Sequence, residues 1–266
     1  MKHRIFVCAC LLLCVDAPHA APDLEASDAY RDNAQRLSML VADAEAANDP
    51  QRLRTPEAKT LIAALSDHER ILAGEPDPDS ALETALGICD LSNWAVMSLV
   101  LFDLKEGVEP SGDQRRMIED VARVMSRNLL FFQDELKQLQ PFLFRCQARM
   151  IPSMQRFIAA LPREELTEVR RGGIVKMRRG IAMAYQSATV GVFDGGIRED
   201  YRLAILSTLA ETAETFATVM PPGERKAIAR SARATAARVD KRYEKDLQKI
   251  ASAFDREVCE TLCAIE

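Results

Sequence analysis

Apolar residues recur at steps of three and four along nearly the whole chain and nowhere alternate with period two, so the pattern predicts helices and no strands. Tyr30, Ala34, Leu37, Val41 and Ala44 mark one buried stripe across residues 23–48, closed by Asn48-Asp49-Pro50. Thr55 before Pro56 reads as an N-cap with proline in the first helical position, and Leu61, Leu65, His68 and Leu72 line one face as far as Gly74. A stiff acidic segment, Glu75-Pro76-Asp77-Pro78-Asp79, follows. Ser80 with Glu83 then forms a capping box for a helix to about Glu106, apolar nearly all round over residues 85–104. Asp90, Asn93 and Asp103 inside that stretch are expensive in lipid and argue against a membrane span.

Residues 107–112, with Pro110, form a break short enough to join helices rather than domains. Ile118, Val121, Met125, Phe132, Leu136 and Leu139 mark the next helix, expected to stop before Pro141, with Pro152 imposing a further kink or restart. Phe131, Phe132, Phe142, Phe144 and Phe157 cluster here, as core or as the lining of a lipid pocket. Beyond Leu161-Pro162, a stripe of Leu166, Val169, Gly173, Met177, Gly180, Ala184 and Ala188 predicts close approach of another helix. Asp194-Gly195-Gly196 is a turn, and Tyr201, Ile205, Leu209, Thr212, Phe216 and Val219 mark a helix ended by Pro221-Pro222-Gly223. Ile228, Ala232, Ala236, Val239, Tyr243, Leu247, Ile250 and Phe254 then keep helical spacing, which predicts one last helix of roughly 55 Å at 1.5 Å per residue. The expected fold is all-α: an antiparallel bundle of about seven helices, forming a single domain over residues 21–266.

The N-terminus changes the picture by setting a compartment. Met1-Lys2-His3-Arg4, an apolar run over residues 5–15 and Ala17-Pro18-His19-Ala20 read as a secretory signal peptide, residues 1–20, with the mature chain beginning near Ala21. A lipid anchor is the lesser alternative, because Cys14 follows three leucines and Cys10 leaves too short an apolar segment. Arg outnumbers Lys 26 to 9, a composition suited to a GC-rich bacterium and hence to a periplasmic destination. Cys89, Cys146, Cys259 and Cys263 remain after export, an even set that fits two disulfides in an oxidising space. Cys259 and Cys263, four apart, either close one helical turn together or each staple the C-terminal helix elsewhere through Cys89 and Cys146.

Composition removes more chemistry than it adds. Of the 3 histidines only His68 survives export, which excludes Cys/His and Ser/His/Asp machinery unless His68 is the base, and no G-x-S-x-G or S-x-x-K supports it. H-E-x-x-H and E-x-x-H are missing, and a calcium loop begun at Asp77 fails at its glycine and at its final glutamate. No catalytic residue, metal ligand or cofactor is therefore expected. Residues 21–112 carry 18 acids and 7 bases, a net of −11, whereas residues 113–266 carry 21 acids and 26 bases, a net of +5. The acidic part suits a basic protein partner and argues against nucleic acid. The densest basic run, Arg170, Arg171, Lys176, Arg178 and Arg179, is expected to spread around its helix and pair with nearby acids.

An exported, disulfide-stapled helical chain with this charge layout and no catalytic motif resembles the periplasmic immunity proteins that neutralise toxins delivered by type VI secretion. The resemblance rests on layout across the mature chain. It implies a one-to-one complex with a cognate toxin, such as a peptidase or another envelope hydrolase, whose active site is plugged or covered. Glu75, Asp77 and Asp79 are the expected contact residues. The alternatives are an envelope scaffold or chaperone-like protein presenting its C-terminal helix, and a lipid or small-molecule carrier.

Overall fold

The computed structural model describes residues 24–72, 81–104, 114–259 and 261–265. Among them are ten α-helices and no strand, so the all-α expectation holds. The helices are α1 (Leu24–Ala46), α2 (Pro56–Ser66), α3 (His68–Ile71), α4 (Ala81–Val100), α5 (Gln114–Phe131), α6 (Gln133–Ala160), α7 (Glu168–Gly191), α8 (Glu199–Val219), α9 (Pro222–Ala236) and α10 (Glu244–Asp255). They divide between two compact units. The first is built on Ala21–Gln147 with Gly195–Ile205, the second on Ala148–Asp194 with Leu206–Glu266.

In the first unit the predicted α1 stripe is inside: Tyr30, Ala34, Leu37, Val41 and Ala44 are all buried. Thr55 caps α2 as expected, its hydroxyl accepting from the Ala58 amide at 3.3 Å, with Pro56 at the start. The helix does not reach Gly74, because the Asp67 carboxylate accepts from the Arg70 amide and starts α3. His68 therefore lies exposed on a new short helix rather than on the face of Leu61 and Leu65. Helix α4 ends at Val100, short of Glu106. Asn128, itself buried, donates from its side chain to the Val100 and Phe102 carbonyls at 3.1 and 2.7 Å, satisfying acceptors that a helix C-terminus leaves open.

The proline expectation is overturned, since α6 runs without interruption from Gln133 through Pro141 and Pro152 to Ala160. A mid-helix proline costs about 3 kcal/mol in a lone helix. Here Phe142, Phe144 and Cys146 are buried just beyond Pro141, and Cys146 is tied to Cys89 of α4, so packing and a covalent staple hold the turn. The break falls instead at Phe132, between α5 and α6. Phe132 packs edge-on against Phe102, and Phe142 stacks on Tyr30, so these members of the phenylalanine cluster are core.

In the second unit the expected last long helix is two helices that pack on each other, α9 and α10. The chain turns because the Arg238 and Val239 amides both fold back onto the Thr235 carbonyl, while the Asp240 carboxylate accepts from the Arg242 amide. Folding back buries Ile228, Ala229 and Ala232 of α9 and Leu247, Ile250, Ala251 and Phe254 of α10, and an Arg233–Asp255 ion pair joins the two helices. Tyr185 of α7 packs against Phe216 and Phe254, with ring centroids 5.1 and 5.0 Å away, and its hydroxyl donates to the Leu209 carbonyl.

The cysteine alternatives resolve as Cys89–Cys146 and Cys259–Cys263. Cys259 and Cys263 lie beyond α10 in a C-terminal strap, not on a helix face. Two buried arginines seat that strap. Arg225 donates to the Arg256 and Val258 carbonyls, and Arg178 donates to those of Leu262, Cys263 and Ile265 at 2.8, 3.1 and 2.8 Å.

Candidate protein-docking face

The expected contact residues Glu75, Asp77 and Asp79 lie outside the described residues. The four cysteines are consumed in disulfides, and among the described residues no group of three or more His, Cys, Asp or Glu is placed to hold a metal. No helix there is long and apolar enough to cross a membrane.

Among the described residues of the first unit, a buried carboxylate meets a half-buried arginine in a pair that the sequence did not announce. Glu135, near the start of α6, is 3% exposed, and burial pushes its carboxyl above the ordinary range despite the nearby Arg54. Arg54 Nε stands 3.8 Å from Glu135, its guanidinium lies over the Phe131 ring 4.1 Å from the centroid, and it donates to the Phe131 carbonyl. The pair fastens the short 3₁₀ turn Pro50–Arg54, whose Leu53 is fully buried, onto the α5–α6 junction. A cavity of about 150 Å³ opens beside it, lined by Asn48, Pro50, Phe102, Asp103, Arg127, Asn128 and Phe131. Pockets for drug-sized ligands span about 300–1,000 Å³, so this cavity is smaller than that class. On the surface of the same unit, Arg198 bonds Asp134 and Asp200 while Lys137 bonds Asp200 at 2.7 Å, which holds the Asp200 carboxyl down to about 2.

The second unit carries a different feature, an outward face on α7. Of the expected stripe Leu166, Val169, Gly173, Met177, Gly180, Ala184 and Ala188, only Gly173 is buried. The buried residues are Gly173, Ile174, Arg178, Ile181, Ala182, Tyr185 and Thr189. Rotating the helix in this way turns Val169 (79% exposed), Met183 (68%) and Val190 (40%) to solvent. With Lys176 they fall at intervals of seven, which on a helix of 3.6 residues per turn is one continuous seam. Gly172, Arg179 and Gln186, all exposed, complete it. Beside the seam runs a groove of about 270 Å³ between α7 and α9, lined by Arg179, Ala182, Met183 and Gln186 on one side and Gly223, Glu224, Ala227 and Ile228 on the other.

The signal that could have found this seam was available. The basic run does spread around its helix, as expected, and of the adjacent Arg178 and Arg179 the first is buried and the second exposed. Arg170 does pair with an acid, Glu165, at 3.1 Å, but Arg171 bonds the Leu166 carbonyl and Arg178 the strap carbonyls. Compared with family models, curated proteins and solved structures, the chain matches none.

Proposed function

We propose that this chain is a non-catalytic protein-binding module of the bacterial periplasm, an immunity protein that sequesters one cognate secreted toxin. The observation that carries the binding reading is the α7 face. Of the seven large apolar side chains exposed among the described residues, three lie on one line of one helix. An exposed apolar line beside a groove and edged by charge is what a partner surface needs, with a buried apolar centre and a polar rim. The two disulfides fit an oxidising compartment, as an exported toxin antagonist requires. The immunity reading itself comes from the layout of the chain: the signal-peptide pattern, the even cysteine set and the acidic first third.

The test is contact competition. A strain lacking this gene is mixed with its toxin-secreting parent on a surface, with and without a plasmid copy of the gene. Killing of the deletion strain, prevented by the plasmid copy, is the expected result. Equal survival of deletion and parent strains under conditions in which the parent kills an unrelated competitor refutes the immunity reading.

A further inference from the structure

We infer that the outward face of α7 and the groove beside it receive an acidic amphipathic helix of the partner protein; this rests on the reading of the chain as a binding module. The heptad spacing of Val169, Lys176, Met183 and Val190 is that of a helix-packing seam, and α7 is about 36 Å long, six to seven turns of contact for a second helix. The apolar anchors are Met183, at the lip of the groove, and the two valines at the ends.

Charge selects the occupant. Helices α7 and α9 together carry nine basic residues against two acids, Glu168 and Glu224. Arg178 and Arg225 are spent on strap carbonyls, and Arg233 pairs with Asp255. Arg179 on the seam, and Lys226 and Arg230 on α9, stand exposed. Such an edge attracts acidic side chains and repels basic ones.

Two other occupants fit less well. An antiparallel second copy of α7, set with Val169 opposite Val190, places Lys176 opposite Met183 and brings two Arg179 side chains to the same crossing, which like-charge repulsion opposes. A lipid surface wants a broad unbroken apolar face, whereas here cations and Gln186 alternate with the three anchors.

The experiment places a photo-cross-linking amino acid at Met183, and separately at Val190, of the full-length oxidised protein in the bacterium that encodes it, and maps adducts by mass spectrometry. The expected adducts fall in one partner segment rich in Asp and Glu with apolar residues at heptad spacing. Arg179→Glu lowers their yield about tenfold and Arg179→Gln less, with helicity unchanged by circular dichroism. Adducts with a second copy, with lipid or with a basic segment, no adducts at either position, or a yield indifferent to Arg179→Glu would each overturn the proposal. The two readings separate cleanly. Acidic-helix adducts in a protein that is not a toxin keep the docking face and remove the immunity function; a toxin complex with no adduct at Met183 or Val190 and no response to Arg179→Glu does the reverse.

Discussion

Removing the Cys89–Cys146 bridge should cost the protein about twice what removing Cys259–Cys263 costs. The bridges close loops of very different length, with sequence separations of 57 and 4. In the chain-entropy treatment the lost freedom of the unfolded chain grows with the logarithm of loop length, giving about 4 kcal/mol for the first bridge and about 2 kcal/mol for the second at 25 °C. Cys89 and Cys146 are also buried, at 4% and 1% exposure, so a Cys89→Ala/Cys146→Ala double variant loses a little packing as well. The single tryptophan, Trp94, sits on α4 five residues beyond Cys89 and serves as the reporter. Urea unfolding followed by Trp94 fluorescence should lose about 4 kcal/mol in the double variant, and the wild type measured with a dithiol reductant, which opens both bridges, should lose about 6 kcal/mol. The second bridge is tested with Cys259→Ala/Cys263→Ala, followed by far-ultraviolet circular dichroism. A Cys89/Cys146 cost under about 1 kcal/mol, or a larger cost for the short loop, would refute the loop-closure argument.

Glu135 carries a pH signature whose sign is fixed by its burial. Its folded carboxyl holds its proton to higher pH than the ordinary 4.5, so the stability it contributes is full below that value and is lost as pH rises through the raised one. Glu135→Gln should therefore flatten the fall in stability above about pH 4.5, whereas Arg54→Met should cost more at pH 7 than at pH 4, both read by urea unfolding. Asp200, held by Lys137 first and Arg198 second, should titrate near 2 by carboxyl NMR, and Lys137→Met should move it upward; an unperturbed value in the wild type would dissolve the ion cluster. Arg178→Met should cost about 3 kcal/mol and speed amide exchange across residues 257–265, and unchanged exchange there would show that the strap does not depend on this arginine.

What the sequence made legible follows from how cleanly each helix separates apolar from polar. Helix α8 was readable in full: Tyr201, Ile205, Leu209, Thr212, Phe216 and Val219 are all inside, and few long polar residues confuse the stripe. The Thr55–Pro56 start of α2 was readable because a cap is a local hydrogen bond. Pro141 misled because its local penalty is real, and only long-range facts, the Cys146 staple and the buried phenylalanines, outweigh it. The α9–α10 hairpin was hidden for the opposite reason. Its apolar spacing continues through the turn, while the turn itself is written in backbone bonds to Thr235 and one Asp240 cap, a weak signal against a strong periodicity. The Arg54–Glu135 pair was invisible because the two residues are distant in sequence and each reads as surface.

The register of α7 links the strap to the docking face. A buried guanidinium is expensive unless it finds acceptors, and Nη1 of Arg178 finds three in the carbonyls of Leu262, Cys263 and Ile265, in the segment that the Cys259–Cys263 bridge closes. With Arg178 and Tyr185 both bonded inward, α7 has one rotational setting, and that setting is the one that points Val169, Met183 and Val190 outward. A helix already fixed in rotation has less freedom to lose when a partner helix docks, so more of the contact energy appears as affinity. The residues that seat the C-terminus therefore also pre-set the proposed docking face, and a change at Arg178 should weaken partner binding without touching the seam itself.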